Sequence, residues 1–299
     1  MKRKNKKKIR KLSRNSYDVN SKRLLTNKSL LSGIMEYCIP EYKNLSRQEI
    51  IDCIEDGNNS SHIKGINVES FNDDNKEVKF DVLFTSRLPN SNEQIGMYID
   101  VEPQNRISPG YNLINRAIYY VSRIMDNQKG KTFSKDDYDK IQKVYSIWIC
   151  TNPKVEQRDS INYYSFNEEQ VKGSYSCDID YKKLNIIMLY LGQDYNFDTT
   201  GILELLNLIF VNTSYDSATK VKMLNDDYDI LVSEKEVSDM SDYDLGLIEQ
   251  GLQQGLQEGV INTIINVIDS GIPQDEAFKI TKADENIKQA VLEKLKEER

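Results

Sequence analysis

Two short apolar runs, joined by a polar connection rich in asparagine and proline, constrain the fold of this chain most strongly. They lie within residues 80–104, which read FDVLFTSRLPNSNEQIGMYIDVEPQ. Apolar runs on either side of a turn-forming connection are typical of two consecutive β-strands. Acidic residues stand in both runs where apolar residues are expected: Asp81 in the first, and Asp100 and Glu102 in the second. The stretch therefore predicts a pair of strands that carries carboxylates.

The alternation of side chains along a strand brings these acids together. Because successive side chains point to opposite faces, Asp100, Glu102 and Gln104 share one face of the second strand. When the two strands pair, Asp81 can meet Glu102 across the ladder, and adjacent carboxylates repel each other unless a cation lies between them. Mg²⁺ is the simplest candidate, because it needs only one or two carboxylates together with water and a phosphate oxygen.

The order of residues around these acids resembles a nuclease family. Asp81 is followed by Glu102-Pro103-Gln104 and then by a predicted helix that carries Arg116 and Tyr120. This order resembles the PD-(D/E)XK nucleases. More narrowly, it is similar to the branch described as PD-(D/E)XK nuclease family transposases, close to the Rpn recombination-promoting nucleases. In that branch glutamine replaces the lysine of the motif, as Gln104 does here.

The resemblance implies a fold, an activity and a setting. The fold class is α/β, with a restriction-endonuclease-like mixed β-sheet core flanked by helices and with a helical C-terminal region. The activity is metal-dependent hydrolysis of DNA phosphodiester bonds with Mg²⁺, or Mn²⁺, as cofactor. The setting is recombination or transposition in a bacterial cytoplasm.

The resemblance also implies a role for each site residue. Asp81, Glu102 and the Pro103 carbonyl would bind the metal, while Gln104 would position water and Arg116 would steady the phosphate. A glutamine amide carries no charge and cannot act as a base, so activation of the water would rest on the metal. The structural alternative for Asp81 is a strand-end carboxylate paired with a lysine, and for the Glu102 segment it is an exposed edge strand.

Three further residues are auxiliary candidates. Glu69 lies in a preceding predicted strand and could reach a second metal, and Asp100 is an additional acid or a plain surface residue. Tyr120 lies one helical turn after Arg116, so the two share a face and could both contact phosphate. Ordinary packing of a helix on a sheet is the alternative for Arg116 and Tyr120.

Charge is distributed unevenly along the chain. The formal net charge is −7, yet the first fourteen residues, MKRKNKKKIRKLSR, hold nine Lys and Arg residues and no acid. Residues 1–20 are therefore predicted to form a disordered basic tail, which is either a solubilising arm or a sequence-independent DNA-binding element. The candidate phosphate-binding residues in it are Lys2, Arg3, Lys4, Lys6, Lys7, Lys8 and Arg10.

The histidine and cysteine content excludes several kinds of site. The single histidine, His62, rules out a histidine-rich zinc site, and its polar surroundings predict a solvated loop residue. None of the cysteines lies in a CxxC pair, and Cys38, Cys53 and Cys150 stand in apolar surroundings, so buried reduced thiols of a cytoplasmic protein are expected there, with disulfides as the alternative. No apolar run is long enough to cross a bilayer, which predicts that the protein has no membrane partner.

Hydrophobic periodicity and capping signals predict the remaining elements. Helices are predicted over residues 28–38, 46–54, 108–127, 200–211, 218–231, 273–281 and 285–297. Strands are predicted over residues 65–71, 78–84, 143–150, 161–166 and 184–190. The acidic stretch SEKEVSDMSDYD is interpreted as a linker between a nuclease-like domain at 21–231 and a helical region at 240–299.

A stripe of glycines marks the C-terminal region. Gly251, Gly255 and Gly259 recur at every fourth position, although each glycine inside a helix costs about 1 kcal/mol relative to alanine. The stripe indicates either a flexible connector or a close-packed helical partner, such as a second copy of the chain. An alternative function is therefore a catalytically weak DNA-binding or oligomeric accessory protein.

Overall fold

The computed structural model describes residues 19–55, 60–64, 81–89, 96–104, 110–175, 179–192, 201–281 and 283–297, with the backbone alone described over 96–104 and 241–258. It forms two compact units, Met1–Ser241 and Asp242–Arg299. Helices and strands are mixed along the first unit, which confirms the predicted α/β class. The predicted strand at 65–71 lies outside the described residues.

A six-stranded sheet forms the centre of the first unit. The strands are β1 (Ile54–Glu55), β2 (Val82–Arg87), β3 (Gly96–Gln104), β4 (Lys143–Cys150), β5 (Ser160–Ser165) and β6 (Leu184–Tyr190). Their spatial order is β1-β2-β3-β4-β6-β5. The three central strands β3, β4 and β6 are parallel to one another, while β2 and β5 run antiparallel to their neighbours. The sheet is therefore mixed, with a parallel centre.

The named helices belong to both units of the chain. They are α1 (Lys28–Cys38), α2 (Arg47–Cys53), α3 (Leu113–Asp126), α4 (Gly201–Phe210), α5 (Ser217–Tyr228), α6 (Glu234–Asp269), α7 (Gln274–Ile280) and α8 (Glu285–Glu297). Residues 19–25 are helical as well. The bounds of α1, β4 and β6 are the predicted ones.

Side-chain caps explain where the helices begin. The Asn27 side chain accepts hydrogen bonds from the first backbone N–H groups of α1, and Ser46 forms the predicted capping box with Glu49 at α2. Helix α3 begins later than predicted, because Asn112 accepts from the Ile114 N–H at 3.1 Å and thereby caps it. The predicted start at residue 108 is therefore wrong.

The face of the sheet that packs against α3 contains the candidate site. Ala117, Val121 and Ile124 of α3 are buried in one cluster with Leu83, Trp148 and residues of β6. Ile118, although apolar, is 47% exposed. The stripe at positions 117, 121 and 124 follows the helical period, and position 118 lies outside it.

The predicted acidic linker at 233–244 is wrong, because α6 begins there. Ser233 and Glu236 form a reciprocal capping pair: the Ser233 N–H donates to Glu236 Oε2 at 2.9 Å, and the Glu236 N–H donates to Ser233 Oγ at 3.3 Å. Val237 and Met240 are fully buried, which anchors this first part of the helix. The boundary between the two units therefore falls inside a continuous helix.

The second unit contains its own small core. Phe278 of α7, Val291 of α8 and the loop residue Ala283 pack with Ile264 and Ile265 of α6. Gly251 and Gly255 lie in the helical backbone of α6. At Gly259 a Cβ atom would meet nothing within 4 Å in the described part of the chain.

Candidate functional site

The register of the β2–β3 pair aligns two of the predicted metal ligands. Val82 lies opposite Val101, and Leu83 lies opposite Asp100. Asp81 immediately precedes β2, so one further step of the same register brings its backbone position opposite Glu102. Position 81 also alternates in phase with Leu83, which packs on the α3 side of the sheet. The sequence-based alignment of Asp81 with Glu102 thus agrees with the observed register.

A lysine that the sequence analysis did not single out lies beside Asp81. Lys22 Nζ is 2.6 Å from Asp81 Oδ1, and the two side chains are 34% and 14% exposed. Lys22 belongs to the helical residues 19–25, in which Ser21, Leu24 and Leu25 are buried. Their spacing is the only signal in the sequence for an ordered helix here. The pair places a positive charge next to the first predicted ligand.

The Arg116 side chain, on α3, is held by the aromatic side chains around it. Its Nη2 donates to Tyr120 OH at 2.7 Å, and its Nη1 donates to Tyr111 OH at 3.3 Å. The guanidinium carbon lies 4.8 Å from the ring centroid of Tyr120 and 5.3 Å from that of Trp148. Stacking and hydrogen bonds therefore fix the direction in which the guanidinium points.

The ring of Trp148 also links Arg116 to β3, the strand that carries Glu102. Trp148 of β4 is the register partner of Glu102 in β3. The Trp148 and Tyr120 rings are 5.5 Å apart between centroids, and Trp148 is fully buried. The backbone of Glu102 in β3 therefore lies beside Trp148 of β4, whose ring contacts the Arg116 guanidinium. Trp148 is therefore a core residue.

Several predicted site residues are described in part or lie outside the described residues. For Asp100, Glu102, Pro103 and Gln104 the structure gives the backbone path of β3. Glu69 and the basic residues Lys2, Arg3, Lys4, Lys6, Lys7, Lys8 and Arg10 lie outside the described residues. Among the side chains that are described, none form a group of three or more His, Cys, Asp or Glu residues suited to a metal ion.

The histidine has a structural partner rather than a solvated position. His62 Nε2 lies 2.6 Å from Glu236 Oε1, and His62 is only 32% exposed. Burial alone would raise the pKa of Glu236, but hydrogen bonds from Ser233 and from His62 lower that pKa below its ordinary value. The two residues are 174 positions apart, so the sequence offers no local signal for this contact. The prediction of a solvated loop histidine is wrong.

A cavity of about 710 Å³ adjoins the His62–Glu236 pair. Its lining carries both signs of charge, with Arg23 and Lys222 beside Asp226 and Glu236. Neither Asp81 nor Arg116 lines this cavity.

A second charged network lies at the other end of β4 from Trp148. Lys143 Nζ is 2.6 Å from Glu41 Oε1 and 2.8 Å from Asp180 Oδ2, and Tyr145 OH donates to Glu41 Oε2 at 2.7 Å. Burial alone would lower the pKa of Lys143, but hydrogen bonds from its ammonium to Asp180 and Glu41 raise it overall. Every charged group has an opposite partner, so the network is structural.

The cysteines behave as predicted where they are described. Cys38 and Cys150 are buried and Cys53 is partly buried, and all three are free thiols. Burial raises the pKa of the Cys38 and Cys150 thiols to about 12, which keeps them protonated and unreactive.

None of the described helices combines the length and apolar character that a membrane span requires. Comparison with protein-family models, curated proteins and solved structures gives no match to this chain.

Proposed function

We propose that this protein is a metal-dependent DNA endonuclease of the PD-(D/E)XK type. The observation that carries the proposal is the register of β2 and β3, which, extended by one residue beyond the Val82–Val101 pair, sets position 81 opposite Glu102 on the side of the sheet that α3 covers. Arg116 supports it, because its guanidinium stacks on Trp148, the register partner of Glu102. Asp81 just before β2, Glu102 in β3 and Arg116 in α3 thus supply two acids and a cation that can bind phosphate.

The topology supports a restriction-endonuclease-like core. An antiparallel strand pair carries the acids, helix α3 follows it, and β4 then pairs in parallel with β3. Parallel neighbours need a crossover connection, and this one brings α3 across the face that holds the acids. The helix is thereby positioned to contribute Arg116 and Tyr120 to the same site.

The donor set suits a hard divalent cation. Asp81 and Glu102 supply carboxylate oxygens and Pro103 supplies a backbone carbonyl, and these are the ligand types that Mg²⁺ and Mn²⁺ prefer. A bound metal would lower the pKa of its water and shield the charge of the phosphate. Proline at this position keeps the carbonyl that the proposal needs.

The remaining residues would bind, orient and balance charge. The Gln104 amide would hold the attacking water by hydrogen bonds, and the Arg116 fork would contact the phosphate oxygens. Lys22 would supply, next to Asp81, the positive charge that Gln104 does not carry. Lys22 would thus stabilise the negative charge that develops on the phosphate during hydrolysis.

An accessory role is the second candidate, and the Lys22–Asp81 ion pair is the observation that favours it. In that role Asp81 is a structural counter-ion, and DNA affinity comes from the basic residues 2–14. We further propose, by resemblance, a cytoplasmic role in recombination or transposition. Self-association along the Gly251, Gly255 and Gly259 stripe belongs to the same alternative.

Cleavage of supercoiled plasmid tests the proposal. The wild-type protein should nick plasmid in Mg²⁺ or Mn²⁺ and should stop when the metal is chelated, and Asp81→Ala and Glu102→Ala should both be inactive. Glu55→Gln, at an exposed acid on β1, is the matched control and should keep wild-type activity. Equal activity in all proteins would indicate a contaminant. DNA binding without cleavage by the wild type would favour the accessory role.

A further inference from the structure

The outer edge of the sheet at β5 is exposed on both faces. Strand β5 pairs with β6 on one side, and no described strand pairs with its other side. All residues from Ile161 to Ser165 are exposed, so none of the described elements covers either face of the strand. The free edge therefore presents backbone N–H and C=O groups together with side chains of both faces.

Large apolar side chains are concentrated at this edge. Of the nineteen exposed large hydrophobic residues in the described chain, eight lie between positions 161 and 181. Within or next to the strand these are Ile161 (40% exposed), Tyr163 (47%), Tyr164 (40%) and Phe166 (60%). Tyr163 is also held in place, because its hydroxyl donates to Asn185 Oδ1 at 2.7 Å. Ile161 and Tyr163 lie on one face of the strand and Tyr164 on the other, so both faces carry exposed apolar side chains at this edge.

The strand also lacks the features that keep free edges apart. Monomeric proteins protect such edges with lysine, proline or a bulge, whereas β5 reads SINYYS and contains neither a charge nor a proline. An edge of this kind suits pairing with another strand.

The chemistry of this edge favours another β-strand as its binding partner. Unpaired backbone groups need hydrogen-bond partners, which lipid chains do not provide and another strand does. A nucleic acid is disfavoured because the strand carries no cation. An identical neutral strand meets no charge repulsion, and antiparallel pairing of two copies satisfies both free edges at once.

Symmetry fixes the possible registers. A two-fold axis perpendicular to the sheet keeps every residue on its own face, so one residue must lie opposite its own copy at the centre. Centred on Tyr163, the pairing sets Asn162 opposite Tyr164 of the second copy, and Ile161 opposite Ser165. The aromatic side chains at 163 and 164 then lie at the middle of the interface, where anchor residues contribute most.

Charges at the ends of the strand favour this centre. Arg158 precedes β5 and Glu168 follows it, each five residues from Tyr163, so antiparallel pairing brings Arg158 of one copy toward Glu168 of the other. A centre at residue 162 would instead bring Glu156 toward Glu168.

We propose that β5 is a homodimer interface, in which two copies of the chain pair antiparallel about Tyr163 and join their sheets edge to edge. This proposal does not depend on the proposed nuclease activity. It is also distinct from association through the glycine stripe of α6, because the surface lies in the other unit of the chain.

Sedimentation velocity on the full chain tests the interface. The wild type should sediment as a dimer, and the double variant Asn162→Lys, Tyr164→Lys should be monomeric. In the proposed register each new lysine faces a lysine of the second copy, which weakens the dimer on the order of tenfold to a hundredfold. Circular dichroism should show that the variant keeps the wild-type fold, because both positions are exposed.

A charge-swap variant tests the register itself. In Asn162→Lys, Tyr164→Glu each lysine faces a glutamate of the second copy, so the dimer should return and should weaken as salt is added. Ile118→Lys, at an exposed apolar residue of α3, is the matched control and should stay dimeric. A monomeric wild type, a dimeric double-lysine variant, or a charge-swap variant that stays monomeric would each overturn the proposal.

Discussion

Removing the ammonium group beside Asp81 tests the proposed role of Lys22. The change is Lys22→Met, which keeps a long apolar stem and deletes the charge that lies 2.6 Å from Asp81 Oδ1. Exposed ion pairs contribute about 0.2–1 kcal/mol and hydrogen bonds to charged groups about 1.5–3 kcal/mol. Lys22 is 34% exposed and Asp81 14%, which places this pair between the two classes. We expect Lys22→Met to lower the free energy of unfolding by about 1 kcal/mol.

The same change should have opposite effects on metal binding and on cleavage. A divalent ion no longer competes with the ammonium for Asp81, so Mg²⁺ should bind about three- to tenfold more tightly, since 1.4 kcal/mol corresponds to a factor of ten. Cleavage at saturating metal should fall by about tenfold or more, because a charge that stabilises the transition state is lost. Urea denaturation with increasing Mg²⁺ measures the first effect, and plasmid nicking measures the second.

Lys22→Arg is the matched control for the charge. It should stay close to the wild type in stability, in metal affinity and in cleavage, because a guanidinium can still pair with Asp81. The reasoning would be refuted if Lys22→Met lost stability but kept wild-type metal affinity and wild-type cleavage. In that case the ion pair would be purely structural, and Asp81 would not be a metal ligand.

Two further predictions concern stability, and one concerns DNA binding. Glu236→Gln should destabilise the protein by about 1–2 kcal/mol at pH 7, because it weakens the cap of α6 and the His62 pair. Since hydrogen bonds from Ser233 and His62 lower the pKa of Glu236, its contribution is lost as the pH falls through that lowered pKa, so the difference from the wild type in urea denaturation should shrink as the pH is lowered. Lys143→Met should cost about 3 kcal/mol by urea denaturation, because it leaves Glu41 without its cation in a half-buried network. Lys140→Met, at an exposed pair, is the matched control and should keep a stability close to that of the wild type. Deleting residues 2–14 should weaken DNA binding and flatten its dependence on salt while sparing the fold, and unchanged fluorescence anisotropy titrations at every salt concentration would contradict a DNA-binding role for the tail.

Local signals were sufficient to predict most elements of the first unit. Helix α1 has an asparagine cap at Asn27 and a proline just beyond its end at Pro40, so both of its limits are encoded locally. Strands β4 and β6 are continuous apolar runs between polar loops, a pattern that a strand buried on both faces requires. The pairing of the two acid-bearing strands was predicted from the turn signal between them, and it is observed; extending its register by one residue sets position 81 opposite Glu102, as expected if they pair.

Non-local contacts account for much of what the sequence did not predict. The start of α6 has a Ser233–Glu236 capping box of the same kind as Ser46–Glu49, but its acidic composition was interpreted as a linker. Its burial at Val237 and Met240 depends on distant parts of the chain, as does the contact between Glu236 and His62. Composition therefore gave the wrong prediction where a cap and tertiary packing determined the structure.

The candidate site was predicted only in part, because one of its contacts joins segments that are distant in the sequence. Asp81, Arg116 and Tyr120 stand out as an acid in an apolar run and as two polar residues on one helix face. Lys22 comes to Asp81 from a helix that lies at the end of a basic tail, and nothing in its own surroundings indicates a pairing with residue 81. Ion pairs between distant segments depend on the final packing of those segments, which no local pattern specifies.

The central claim is that Asp81 and Glu102 act together in one metal site. The most direct measurement is the initial rate of plasmid nicking in Mn²⁺ for the wild type, Asp81→Asn, Glu102→Gln and the double variant. Residues that serve one site are strongly non-additive, so each single variant should lose nearly as much activity as the double variant. Additive losses, or wild-type rates in either single variant, would contradict the claim.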